Sequence, residues 1–130
     1  MGLSNSADRL LGNLANQTDF VEVEKLRLVE QHLAQFEEFP GEFPQNWAML
    51  NRLKSALAQE SEISGADLSF YYHELKEAEL MANGLSYYDA HAEALKFYGV
   101  SPFSLYHPDT IEAFPDRFNK NWFNAWGIEK

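Results

Sequence analysis

Apolar residues recur every three or four positions along most of this chain, in runs divided by proline and glycine, the pattern of amphipathic helices joined by turns. The first run, residues 7–16, sets Leu10, Leu11 and Leu14 on one side, is entered through Ser6 and is weakened by Gly12. It predicts a linker or loosely docked arm over residues 1–18, ahead of a single helical domain over 19–130. Thr18 and Asp19 then supply a helix-capping signal, with Glu22 just beyond, for a long helix to about Glu38. Its stripe is Glu22, Leu26, Val29, Leu33 and Phe36, and His32 on the flank reads as structural or simply exposed.

FPGEFP, residues 39–44, breaks that helix, with Phe39 and Phe43 expected to plug the turn into the core. Pro44 suits the first position of a helix to about Gln59, with Trp47, Leu50, Leu53 and Leu57 inward. The two helices pair as an antiparallel hairpin, and the polar run Gln59–Glu62 reads as a solvated connection. A central helix begins after Ser64, with Asp67 completing its cap, and ends at Asn83-Gly84.

At 100° per residue the central helix carries Leu68, Tyr71, Tyr72, Leu75, Ala78 and Ala82 on one face and Phe70, His73, Glu77, Leu80 and Met81 on the other. A helix apolar on both sides is sandwiched, so His73 and Glu77 are expected to be partly buried. Ser86, with Asp89 three residues on, caps a further helix stopped by Gly99, and its inward set of Tyr87, His91, Ala94, Leu95 and Tyr98 points His91 at the core. Ser101-Pro102, His107-Pro108 and Phe114-Pro115 predict short helical turns, closed by Phe103, Tyr106, Ile111, Phe114, Phe118, Trp122, Phe123 and Trp126. The strand-like stretch DFVEVEKL runs on into a helical stripe. The class is therefore all-α: one domain of five to seven helices, with a long N-terminal hairpin and an aromatic-rich half of short helices.

Charge narrows the partners. The net charge is −10, with 5 basic against 10 acidic residues in 1–65 and again in 66–130, so no basic half or tail exists to attract a polyanion. Direct nucleic-acid binding through a broad surface is disfavoured. The absence of cysteine removes disulfides, thiolate metal sites and a cysteine nucleophile. No apolar run is long enough to span a bilayer. The N-terminus lacks the basic and apolar regions of a secretory signal, although Gly2 formally fits an acylation pattern.

The chemistry-bearing run is HELKE, with His73 and Glu77 four apart on one helical face and Glu74 alongside. An imidazole and a carboxylate so placed can bind a divalent cation or act as a base with its orienter. The same spacing also serves a structural ion pair. Glu stands where a metalloprotease helix would carry its second histidine, so that class is not supported. His91 and His107 are the residues able to converge on the pair. The tyrosines at 71, 72, 87, 88, 98 and 106 read as core with hydroxyls at the rim. Arg117, Lys120, Trp122 and Trp126 form a weak candidate stacking spot, set among Asp109, Glu112 and Asp116.

ISGADLSFYYHELKEAELM, SYYDAHAEALKFYGVSPFSLYHP and WFNAWG together resemble a C-terminal toxin-tip module of bacterial polymorphic toxins of the Rhs, filamentous-haemagglutinin or contact-dependent-inhibition type, over about residues 46–127. The resemblance implies a domain used in interbacterial competition, secreted or delivered into a target bacterium, acting in its cytoplasm and neutralised by a cognate immunity protein. It carries over no catalytic residue. Residues 1–45 fall outside it and suit a junction with a carrier, and the acidic balance departs from basic nuclease tips. Two readings follow: a toxin tip, with a hydrolase centre at His73, Glu77 and His91 built around a cation or as general acid and base, or a non-catalytic acidic helical module, immunity or adaptor protein, that binds a basic partner.

Overall fold

The computed structural model of the chain describes residues 8–39 and 41–130. The Gly2 acylation pattern, the Ser6 helix start and Pro40 of the turn lie outside the described residues. Residues 8–11 are helical and tighten into a 3-10 turn, Gly12–Leu14. Strand β1, Thr18–Phe20, helix α1, Val23–Ala34, and helix α2, Pro44–Ala58, follow. Strand β2, Glu62–Ser64, leads into α3, Gly65–Ala82, and α4, Tyr87–Tyr98. The C-terminal part is a 3-10 turn, Pro102–Leu105, helix α5, Pro108–Ala113, a second such turn, Pro115–Arg117, and α6, Lys120–Ala125. The architecture is all-α, with one small two-stranded ribbon among the described residues, and none of its helices is long and apolar enough to cross a membrane.

The ribbon is the main departure from the helical reading. β1 pairs antiparallel with β2, Thr18 opposite Ser64 and Phe20 opposite Glu62, so the backbone at Thr18 and Asp19 serves a ladder rather than a helix start. The Asp19 carboxylate accepts from the Tyr72 hydroxyl at 2.5 Å, and the Thr18 hydroxyl donates to Glu62 at 2.9 Å. With both polar side chains committed elsewhere, α1 begins only at Val23, and it ends at Ala34 rather than near Glu38. The connection Gln59–Glu62 is solvated as expected, and its last residue opens β2. Ile63, the next residue, is buried.

α3 organises the rest. It packs against α1, α2, α4, both strands and the Pro102–Leu105 turn. Leu68 and Tyr71 on one side and Phe70, His73 and Glu77 on the other are all buried, as a helix apolar on two faces requires. The Tyr71 hydroxyl accepts from the Glu22 backbone N–H at 3.0 Å, fixing the start of α1 against α3. Asp67 does not cap the helix. It accepts two hydrogen bonds from Arg52 at 2.8 and 3.1 Å and so ties α2 to the first turn of α3. Leu26, Val29 and Leu33 of α1 meet Met49, Leu50 and Leu53 of α2 in the main core. A core side chain of this size contributes about 1.5–3 kcal/mol on burial. Phe43 is half-buried, but Phe39, expected inside, is 67 % exposed.

Three of the starts and stops read from sequence hold in detail. Ser86 Oγ accepts from Asp89 N at 3.2 Å, Gly99 closes α4 in the left-handed region, and Gly84 does the same after α3. The second core, Ile111, Phe118 and Phe123, is roofed by Trp122 and Trp126 and joined to the first through Tyr106. Trp126 Nε1 donates to Phe103 O at 2.8 Å, and Arg117 donates to Glu42 O at 2.9 Å. Trp126 and Arg117 are thereby spent on structure.

Residues 8–17 are seated by Leu11 and Leu14, both buried, and by a hydrogen bond from Ser101 N to Leu10 O at 2.9 Å. Gly12 makes the approach possible. Its φ is +50°, and a Cβ there would fall 1.7 Å from Gly99 O. Gly12→Ala is expected to cost more than about 2 kcal/mol, combining left-handed strain with a backbone clash. Faster proteolysis within residues 8–17 and a lower urea midpoint would register it.

Candidate functional site

Glu77 sits near the middle of α3, where the helix passes between α1 and α4, and it gathers imidazoles from all three helices. His32 Nε2 lies 2.7 Å from Glu77 Oε1. His73 Nε2 and His91 Nδ1 each lie 3.0 Å from Oε2 and 3.1 Å from one another. The i, i+4 spacing brings His73 to the carboxylate, and the Asn83-Gly84 turn folds α4 back to deliver His91. His32, His73 and Glu77 are 4, 2 and 2 % exposed, whereas the His91 side chain is 34 % exposed.

The network fixes proton positions where both ring nitrogens are engaged. Gln35 Nε2 donates to His32 Nδ1 at 2.8 Å, so the His32 proton is on Nε2 and is donated to Glu77. His73 Nδ1 is buried with no partner among the described residues. Burial alone would raise the Glu77 pKa, but hydrogen bonds from His32, His73 and His91 outweigh it and hold the group well below the usual carboxylate range. Burial lowers the pKa of His73 against the pull of Glu77, which favours a neutral ring. The centre is one buried negative charge solvated by histidines.

Beside it Glu74 takes the opposite state. Burial first, and then the Glu77 charge, push its pKa well above the ordinary value, so it stays protonated over a wider range. A carboxyl whose folded pKa exceeds the unfolded one costs nothing while both states are protonated. The cost grows once the unfolded chain ionises, above about pH 4, and is complete above the folded pKa. Glu74→Gln, which removes the ionisation that burial opposes, is therefore expected to stabilise the protein at pH 7. The gain should vanish near pH 3, as read by urea unfolding with a chelator present.

The centre forms one wall of a cleft of about 390 Å³, whose other walls are largely apolar: Phe36, Phe43, Phe70, Leu105, Tyr106 and Trp122. Tyr87 stacks on His91, with centroids 5.7 Å apart and planes at 29°. Burial, helped by Glu77 and Glu74, pushes its hydroxyl up to about 12, so it is a proton donor at neutral pH. The Tyr106 hydroxyl donates to Asn46 Oδ1. A pocket with a few convergent polar groups on an apolar lining is the usual form of a small-ligand site.

His107 does not join. Its Nδ1 accepts from Asp109 N at 3.0 Å and caps α5, and it borders a separate depression of about 690 Å³ with Arg52 and Asp67. His32 takes the place that sequence spacing left open. The signal was present: His32 lies three residues after buried Val29, with Phe36 four further on, inside the packed stripe rather than beside it.

Comparison with protein-family models, with curated proteins and with solved structures gives no match to this chain.

Proposed function

We propose that this chain is the effector domain of a bacterial polymorphic toxin and that it carries a hydrolytic centre at His73, Glu77 and His91. The observation that carries the enzymatic half is the buried Glu77 carboxylate shared by three imidazoles on the wall of an apolar cleft. A structural ion pair needs one histidine. Three converging on one carboxylate, the most exposed beside a substrate-sized cavity, fit a group that activates water next to a bound substrate. The resemblance over residues 46–127 supplies the biological half: delivery into a competing cell, action in its cytoplasm and a cognate immunity protein. Inducible expression in a bacterial host without an immunity partner should stop growth, and unaltered growth with folded, soluble protein would overturn this reading.

A second reading, a non-catalytic acidic module that blocks a basic partner, draws on the net charge of −10 and on Tyr88 and Phe97, which are 82 and 59 % exposed. A stable one-to-one complex with a basic protein, with no growth effect of the domain alone, would favour it.

A further inference from the structure

His73 Nε2, Glu77 Oε2 and His91 Nδ1 form a nearly equilateral triangle with edges of 3.0, 3.0 and 3.1 Å. Two atoms each about 2.1 Å from a metal ion and about 90° apart, as on an octahedral face, lie about 3.0 Å from each other. The triangle therefore has the dimensions of one face of an octahedral coordination shell. Hydrogen bonding serves it less well. Two ring nitrogens 3.1 Å apart must both aim protons at a single oxygen, or one must turn its proton toward the other ring and forgo the carboxylate.

We propose that His73, Glu77 and His91 hold one divalent transition-metal ion, with Glu77 bound through Oε2 alone. The other carboxylate oxygen is already engaged. Gln35 sets the His32 tautomer, and His32 donates to Oε1, the kind of outer support that orients a ligating carboxylate. Two nitrogens and one oxygen on an octahedral face suit Fe²⁺, or Zn²⁺ if the three atoms spread to tetrahedral spacing, and disfavour Ca²⁺ and Mg²⁺, which are held mainly by oxygen. Three protein ligands leave positions for water or substrate, the feature that separates catalytic from structural metal sites. The use of the ion in hydrolysis rests on the function proposed above, whereas its binding does not.

The test is titration of the chelator-stripped full chain with Zn²⁺, and with Fe²⁺ under anaerobic conditions, by calorimetry and elemental analysis. The wild type should take up one ion per chain, and binding should weaken at least a hundredfold in His91→Ala, which removes a ligand from the most exposed corner. His107→Ala should bind like the wild type, which controls for adventitious histidine binding. His32→Phe should keep the stoichiometry and lose about tenfold to a hundredfold in affinity, with partial recovery in His32→Gln. Absence of a stoichiometric ion in folded wild type, or binding that survives His91→Ala, overturns the site. Ion binding by a chain that leaves growth untouched upholds the site and overturns the toxin reading; growth inhibition by a chain that binds no ion does the reverse.

Discussion

Glu77→Ala is expected to cost about 3–5 kcal/mol of folding stability, the loss typical when one partner of a buried charged network is removed. The carboxylate is 2 % exposed and is shared by three rings, so its removal strands His32 Nε2 without an acceptor, leaves His73 only His91 Nδ1 at 3.1 Å as a partner and opens a hole between α1, α3 and α4. The folded pKa of Glu77 is depressed. Its contribution is therefore present above the unfolded value near 4.3 and is lost as pH falls through the folded one. The cost of the substitution should be full at pH 7 and shrink in acid. Glu77→Gln, which keeps the shape and one acceptor, should lose less. Urea midpoints with an unchanged slope measure this, and a loss no larger than that of exposed Glu93→Ala would contradict it.

His91→Ala is expected to abolish growth inhibition while leaving the fold intact. Its loss removes either a ligand of the proposed ion or a proton-transferring group worth about 10²–10⁴ in turnover, enough to bring a toxic dose below effect. His73 is the poorer target, because at 2 % exposure its truncation leaves a cavity in α3 and confuses loss of chemistry with loss of structure. His91 stands at the margin of the cleft with its side chain 34 % exposed, and α4 is anchored independently by Ala90, Ala94 and the Gly99 cap. Circular dichroism matching the wild type together with normal growth is the expected pair of results. Inhibition that persists in a folded His91→Ala protein would remove His91 from the mechanism.

The helices with strong local punctuation were legible. The Asn83-Gly84 stop, Ser86 to Gly99 and the Pro44 start are stated by residues at the boundary itself and the structure uses them, whereas the helix after Ser64 starts where expected with no side-chain cap. The same logic brought His73 and Glu77 to one face and turned His91 toward them. What stayed hidden was set by partners distant in the chain. Thr18 and Asp19 look like a cap until Glu62 and Tyr72, more than forty residues later, claim their side chains. Asp67 looks like a cap until Arg52 takes it, and His107, two residues before Asp109, gave a capping signal that was also readable as a site histidine. Periodicity with Val29 and Phe36 places His32 inward, but its partner Glu77 lies 45 positions away, which no spacing within α1 reports.

The central claim is that one buried carboxylate joins His32, His73 and His91 into a single centre and leaves His107 apart. Two-bond proton–nitrogen correlation spectra of the histidine rings, recorded on wild type and Glu77→Gln with a chelator present, test it most directly. His32 should show its proton on Nε2, and the ring nitrogens of His32, His73 and His91 should all move on substitution while those of His107 stay in place. If the three rings shift no more than His107, or each titrates independently of Glu77, the centre described here does not exist.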